Sequence, residues 1–170
     1  MSFADHFSGH AADYARARPD YPADLFAWAA SLTAAHDCAW DAGAGNGQAS
    51  VALARHYTRV IATEPSAAQV ANAVRDPRVE YRVEPAETPS LDAGSVDLAL
   101  VAQALHWFDH DRYFAACTRV LRPGGAFVAV AYGLLAVDPA VDRVIADFEH
   151  GVVGPYWPAE RRHVDAGYRT

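Results

Sequence analysis

Trp40-Asp41-Ala42-Gly43-Ala44-Gly45-Asn46-Gly47-Gln48 is the stretch that decides the fold. An apolar lead-in (Cys38, Ala39, Trp40) meets an acid and then glycines at every second position, and Ala49-Ser50-Val51-Ala52-Leu53-Ala54 follows with a helical composition. The order is strand, tight turn, helix. Glycine is used where backbone adopts positive φ or approaches a ligand without a Cβ, so the turn is expected to lie against a bound small molecule.

A glycine turn opening a helix is a common seat for a dinucleotide pyrophosphate. Here the spacing is G-x-G-x-G, and Gln48 stands where that fingerprint has its third glycine. Asp41, at the strand's end, would repel a pyrophosphate and attract a cation. S-adenosylmethionine carries a sulfonium and an ammonium and no phosphate, and it fits this entrance on charge. Glu64 closes the next apolar run, Arg59 to Thr63, about 20 positions beyond the turn, where an acid accepts hydrogen bonds from a ribose diol. Gly43, Gly45, Gly47, Asp41 and Glu64 are therefore expected to bind the cofactor.

Outward from this centre the chain alternates strand and helix. Pro22 opens a helix whose expected inner face is Leu25, Trp28, Ala29 and Leu32. Ser66-Ala67-Ala68-Gln69 has capping-box form and starts a helix turning Val70, Ala73 and Val74 inward. Val79 to Val83 alternates like a strand near a sheet edge, and Ser95 to Val101, nearly all apolar, reads as a strand buried on both faces. Asp109 caps a helix with Tyr113, Phe114, Cys117, Val120 and Leu121 on one face, which Arg122-Pro123-Gly124-Gly125 is expected to stop. Ala126 to Tyr132 is the fifth strand, and Asp138-Pro139 opens a last helix with Val141, Val144, Ile145 and Phe148 inward. The expected fold is α/β, a doubly wound parallel sheet. Asp41, Glu64, the 84 to 88 loop and the 102 to 108 segment all fall at strand carboxyl ends, where such sheets bind ligands. Gln103 joins the expected cofactor contacts on that placement.

Composition bounds the function. At 170 residues and 52% hydrophobic content the chain can bury a sizeable core, and no apolar run has transmembrane length. The N-terminus lacks a basic-then-apolar signal, so the expectation is a soluble cytoplasmic protein without a membrane partner. A net charge of −7, with all 14 basic residues arginine, argues against nucleic acid as a partner. The two cysteines read as buried small hydrophobes, and the eight histidines lack a convincing ligand spacing, so no metal is expected.

Asp41 to Gly47 (D-A-G-A-G-N-G), the glutamate of A-T-E-P-S and the V-L-R-P-G-G at Val120 to Gly125 resemble the class I S-adenosylmethionine-dependent methyltransferases. Within them the chain is similar to the small-molecule branch, the trans-aconitate and quinone methyltransferase-like proteins with a type 11 domain, over roughly residues 3 to 165. The resemblance implies a Rossmann-like methyltransferase fold, S-adenosyl-L-methionine as cofactor with S-adenosyl-L-homocysteine as product, and a small organic acceptor. It also implies that Arg18-Pro19-Asp20-Tyr21-Pro22 folds over the cofactor, with Tyr14 and Arg18 near the methionine carboxylate, and that Ala86 and Glu87 meet the adenine ring. His106 and Trp107 are the candidates on the acceptor side, a proton acceptor and a wall for the methyl group. Methyl transfer from a sulfonium needs alignment and exclusion of water rather than a nucleophile or triad, and none is present. Two alternatives stay open: a non-catalytic or truncated cofactor-binding protein, and a nucleotide-dependent oxidoreductase, which Asp41 and Gln48 disfavour.

The expected organisation is one domain: an N-terminal arm and helix over the cofactor (1–36), the cofactor-binding core (37–135), and a helix with the start of an acceptor-side insertion (136–170). Arg161 and Arg162 would suit a carboxylate on the acceptor. The resemblance implies two further strands beyond the fifth, which the chain lacks. An apolar strand with an open edge is then expected to be covered by a second copy, making a homo-oligomer.

Overall fold

A computed structural model describes residues 21–169, and the chain falls into two compact units, Met1–Val130 and Ala131–Thr170. Tyr14 and Arg18 lie outside the described residues. In the first unit the elements run α1 (Ala23–Ser31), β1 (Cys38–Ala42), α2 (Gln48–Leu53), β2 (Arg59–Thr63), α3 (Ala67–Ala71), β3 (Val79–Arg82), β4 (Val96–Ala102), a 3-10 turn (Leu105–Trp107), α4 (His110–Val120) and β5 (Leu121–Val130). The five strands are all parallel, in the order β3-β2-β1-β4-β5. Strand order therefore reverses between β1 and β4, the place where an open α/β sheet leaves a crevice at its carboxyl edge.

Alternation along the strands builds a core on each face. Ala39, Val60, Leu98, Leu100 and Val128 pack with Phe26, Ala29 and Ala30 of α1 and Ala49 and Leu53 of α2. Trp40 points to the other face, where its ring meets Tyr113 of α4 at 5.6 Å, and Tyr113 in turn meets Phe108 at 4.8 Å. Burying an aromatic pair adds about 0.5–1.5 kcal/mol beyond the area removed from water. The Trp40 indole N–H donates to Thr63 Oγ1 at 2.9 Å, which satisfies a polar atom inside the sheet and ties β1 to β2.

At the amino ends of the strands, buried Asp97 holds three segments together. Its Oδ2 accepts the backbone N–H of Asp37 and of Cys38, both at 2.9 Å, and its Oδ1 pairs with Arg122 at 2.9 Å. Arg122 also donates to the Ser95 carbonyl, drawing the chain after α4 alongside β4. This explains one departure from the sequence reading: β5 runs from Leu121 to Val130 rather than from Ala126 to Tyr132, and Arg122-Pro123-Gly124-Gly125, where the helix stop was expected, is its irregular start. Gly124 supplies φ +81, and a Cβ on Gly125 would stand 2.9 Å from the Asp97 carbonyl.

Three expected faces are corrected. In α1, Trp28 is 53% and Leu32 44% exposed, whereas Phe26, Ala29 and Ala30 are buried. Small alanines let the helix approach the sheet closely, with Phe26 wedged edge-on against Tyr21. Helix α3 is only five residues long and leaves Val74 exposed while Ala73 is buried. In α4, Ala116 rather than Phe114 joins the buried stripe of Tyr113, Cys117 and Val120. The capping assignments hold: Ser66 accepts from Gln69 N, and Asp109 from Arg112 N. Strand β3 is an edge strand, as its alternation implies. Its Glu80 is flanked by Arg59 and Arg82, charges of the kind that discourage edge-to-edge pairing.

The second unit contains α5 (Pro139–Phe148), a π turn (Glu149–Val153), a 3-10 turn (Gly154–Tyr156) and α6 (Arg161–Asp165). Asp138 caps α5 by accepting from Ala140 N and Val141 N. The expected inner face of α5 is not buried: Val144 is 69% exposed, with Val141 and Phe148 also open. Periodicity alone marks an apolar face and cannot say that something covers it. No helix of the described residues is long and apolar enough to cross a membrane.

Candidate functional site

The crevice at the β1/β4 reversal is lined by Tyr21, Asp41, Gly43, Ala44, Asn46, Gln48, Ala49 and Ala102. Among the described residues that line it, Asp41 alone carries a charge. Its side chain sits at the carboxyl end of β1, 1% exposed, and its Oδ2 accepts the Ser50 hydroxyl at 2.6 Å. That length is typical of a charge-assisted O–H···O⁻ bond. A carboxylate held this way in a dry crevice exerts its field with little screening, so the opening favours a cation.

The three glycines of the turn have separate reasons to be glycine. All take positive φ, at 68°, 55° and 86° for Gly43, Gly45 and Gly47. A Cβ on Gly43 would meet Ala104 Cβ at 2.7 Å and the Phe108 ring at 2.9 Å, and one on Gly47 would meet the Tyr81 hydroxyl at 1.9 Å. Those two serve packing within the protein. At Gly45 a Cβ would meet nothing within 4 Å among the described residues, so Gly45 is the turn residue whose bare backbone none of them covers.

Glu64, directly after β2 and 7% exposed, accepts the Gly45 N–H at 3.0 Å and the Ser66 N–H at 2.9 Å, one on each oxygen. It thereby fixes the turn to the end of β2. A carboxylate oxygen has two acceptor directions, so this role is compatible with accepting from a diol.

Of the expected residues that the structure describes, Asp41 and Gly43 line this crevice, and Gly45, Gly47, Glu64, Ala86, Glu87, Gln103, His106 and Trp107 are not part of its lining. Ala86 is buried in the loop after β3, and Glu87 Oε1 accepts the Asp109 N–H at 3.0 Å, linking that loop to the start of α4. Gln103 holds φ +56 with its N–H on the Val130 carbonyl at 2.8 Å, and its buried amide Nε2 has no partner among the described residues. His106 and Trp107 are half-buried on the 3-10 turn, with ring centroids 4.7 Å apart. Burial pushes the Cys117 thiol up to about 11 and raises that of Cys38, so neither is a thiolate nucleophile at neutral pH.

In the second unit, a groove of about 300 Å³ is lined by residues including Leu134, His150, Trp157 and Arg162. Arg161 is committed internally: its guanidinium pairs with Glu149 at 2.9 Å and Asp165 at 3.1 Å and lies 4.3 Å from the Trp157 ring centre. Of the two arginines expected to suit a carboxylate, only exposed Arg162 is left without an ion pair in this unit.

Sequence reasoning missed Ser50 and Tyr81. Ser50 is a fully buried hydroxyl in an apolar helix, and its position three residues after Gly47 was the available signal. Tyr81 read as an edge-strand apolar residue. Its hydroxyl instead donates to the Val74 carbonyl at 2.7 Å beneath Gly47.

Residues 40–129 match the family model described as "Methyltransferase domain". The chain is 37% identical over 174 residues to a protein of Dictyostelium discoideum named as a methyltransferase, covering 98% of this chain and 65% of that one. A structure titled as a type II methyltransferase from Anaeromyxobacter dehalogenans is 51% identical, with TM-score 0.81, covering 89% of this chain and 65% of that one. A geranyl diphosphate C-methyltransferase from Streptomyces coelicolor, solved with S-adenosyl-L-homocysteine, is 26% identical with TM-score 0.58, covering 75% of this chain and 52% of that one. The chain thus spans about two thirds or less of the length of these proteins.

Proposed function

This chain belongs to the class I S-adenosylmethionine-dependent methyltransferases, and on that premise we propose that it binds S-adenosylmethionine in the β1/β4 crevice and methylates a small organic molecule. The observation that carries this is Asp41, the only charged group among the described residues lining the crevice, next to a turn in which no described residue covers Gly45. An anion there suits an ammonium and a sulfonium and opposes a pyrophosphate. When bound, the cofactor supplies a methyl group already activated by its positive sulfur. The residues have the remaining tasks. Asp41 attracts the cationic end, Gly45 admits it closely, and Glu64 holds the turn while accepting from the ribose hydroxyls. Ala86 and Glu87 border the adenine, Gln103 offers its amide from the end of β4, and Tyr14 and Arg18 attend the methionine carboxylate. His106 takes a proton from the acceptor, and Trp107 shields the reacting pair from water.

Thermal unfolding with added ligand tests the reading. S-adenosylmethionine or S-adenosylhomocysteine at a hundred times its Kd stabilises by about 2.7 kcal/mol, a rise of several degrees in Tm. NAD at the same concentration is expected to leave Tm unchanged. Stabilisation by NAD in place of S-adenosylmethionine would reject the proposal, and methyl transfer to members of a panel of small acids and phenols then reads the acceptor.

A further inference from the structure

Gln103 combines two costs in one residue. It stands directly after β4, beyond the last β4–β5 pair at Ala102 and Val130, and its backbone N–H donates to the Val130 carbonyl at 2.8 Å. There the chain turns through φ +56, a left-handed conformation that is costly for a residue with a Cβ. The turn has a structural use, since it brings Ala104 so close to Gly43 that a Cβ on the glycine would stand 2.7 Å from the Ala104 Cβ. Glycine or asparagine would make the same turn at less cost, and the bond to Val130 needs no side chain. The glutamine side chain is therefore not explained by the turn.

The second cost is the amide. Nε2 is buried without a hydrogen-bond partner among the described residues, and a buried donor left unpaired has given up its hydration without replacement. The Tyr113 hydroxyl is buried in the same way, but the Cys117 thiol is its hydrogen-bonding neighbour. No such neighbour is described for the Gln103 amide. Position offers a reason for it. The preceding residue, Ala102, lines the crevice at the β1/β4 reversal, and His106 and Trp107 follow on the 3-10 turn. Backbone strain and unpaired polar groups gather where a ligand completes the site.

We infer that Gln103 is kept for its amide, which donates to an oxygen of a molecule bound at the end of β4: the methionine carboxylate of the cofactor or an oxygen of the methyl acceptor. The inference rests on the reading of this crevice as the S-adenosylmethionine site. With the ribose hydroxyls assigned to Glu64 and the adenine to Ala86 and Glu87, the carboxylate is the cofactor oxygen left for a donor on β4, and it takes several donors at once. Gln103 as a whole is half-buried, so a change of side-chain rotamer carries the amide to the ligand. A donor that only the ligand satisfies lowers the stability of the unliganded chain and adds to affinity or turnover once the ligand is in place.

The test compares the parent chain with Gln103→Met, which keeps the side-chain length and removes the amide, and Gln103→Gly, which also removes the left-handed strain. Without ligand, both variants are expected to unfold about 2–4 °C above the parent. Calorimetric titration then uses S-adenosylmethionine and methylthioadenosine, which lacks the amino-acid carboxylate. If the oxygen belongs to the cofactor, Gln103→Met weakens S-adenosylmethionine about tenfold and leaves methylthioadenosine unchanged. If it belongs to the acceptor, both affinities keep the parent value, and methyl transfer to small acids and phenols shows KM raised or kcat lowered about tenfold. Tm at or below the parent's in both variants overturns the inference, as does equal weakening of the two nucleosides, which marks a packing effect. Unchanged affinities together with unchanged transfer, a parent without measurable transfer included, overturn it as well while the reading of the crevice stands. A parent chain that binds neither nucleoside removes that reading and the inference with it.

Discussion

Gly45→Ala and Gly47→Ala make the same chemical change two residues apart, and the fold assigns them different costs. Both place a Cβ on backbone with positive φ, a strain of about 1–2 kcal/mol, partly offset by about 0.4–1 kcal/mol from a less flexible unfolded chain. At Gly45 no clash is added, since the new methyl meets no atom within 4 Å among the described residues. At Gly47 the methyl would lie 1.9 Å from the Tyr81 hydroxyl and 2.8 Å from Tyr81 Cζ, so the ring must leave. Its departure breaks the 2.7 Å bond to the Val74 carbonyl, worth about 0.5–1.5 kcal/mol net, and adds about 1–3 kcal/mol of overpacking. Gly47→Ala is therefore expected to cost about 3–4 kcal/mol and Gly45→Ala about 1 kcal/mol or less. Urea unfolding without ligand measures both, and a Tyr81→Ala background should reduce the Gly47→Ala cost to that of Gly45→Ala. Equal costs in the parent background, or no rescue by Tyr81→Ala, would refute the packing argument. Ligand binding should show the reverse order relative to stability: Gly45→Ala is expected to weaken S-adenosylmethionine binding while leaving the fold nearly intact.

Asp97→Ala leaves Arg122 and two backbone N–H groups without their buried partner and is expected to cost about 3–5 kcal/mol, read by urea unfolding. The Arg59 and Arg82 guanidiniums hold Glu80 below its ordinary value of 4.5. Its stabilisation is thus present above 4.5 and lost as pH falls through the depressed value. Because the pair is exposed, it is worth at most about 1 kcal/mol, and Glu80→Gln should flatten the acid dependence of stability only slightly. Tyr81 shows the opposite sign: with its hydroxyl pushed up to about 12, its contribution is full below 10 and is lost as pH rises toward 12, so Tyr81→Phe should lessen the alkaline fall of Tm. His106→Asn is expected to lower turnover by about 10²–10⁴-fold with S-adenosylmethionine affinity unchanged, and equal turnover would take the proton from His106.

What the sequence disclosed was set by local signals. The acid and glycines after Trp40 marked the first strand, turn and helix, and the run from Ser95 to Val101, apolar but for Ser95 and Asp97, marked a strand buried on both faces. Ser66, Asp109 and Asp138 marked helix starts because a cap acts within three residues. Helix faces were less legible, since Phe26 and Trp28 both lie in an apolar stretch, and only the close approach allowed by Ala29 and Ala30 selects Phe26. The start of β5 depends on Arg122 reaching Asp97, a contact 25 residues apart that no local signal carries. The same holds at the site: Asp41 and Gly45 were legible as types, but Ser50 beneath Asp41 and Tyr81 beneath Gly47 are tertiary. The apolar face of α5 was legible as a face, while its exposure was not.

Calorimetric titration of S-adenosylmethionine into the parent chain, Asp41→Asn and Glu64→Ala tests the central claim most directly. A hydrogen bond to a charged group contributes about 1.5–3 kcal/mol, so each substitution should weaken binding about tenfold or more while the unliganded protein stays folded. Saturable binding to the parent that both variants retain at full affinity would contradict the account.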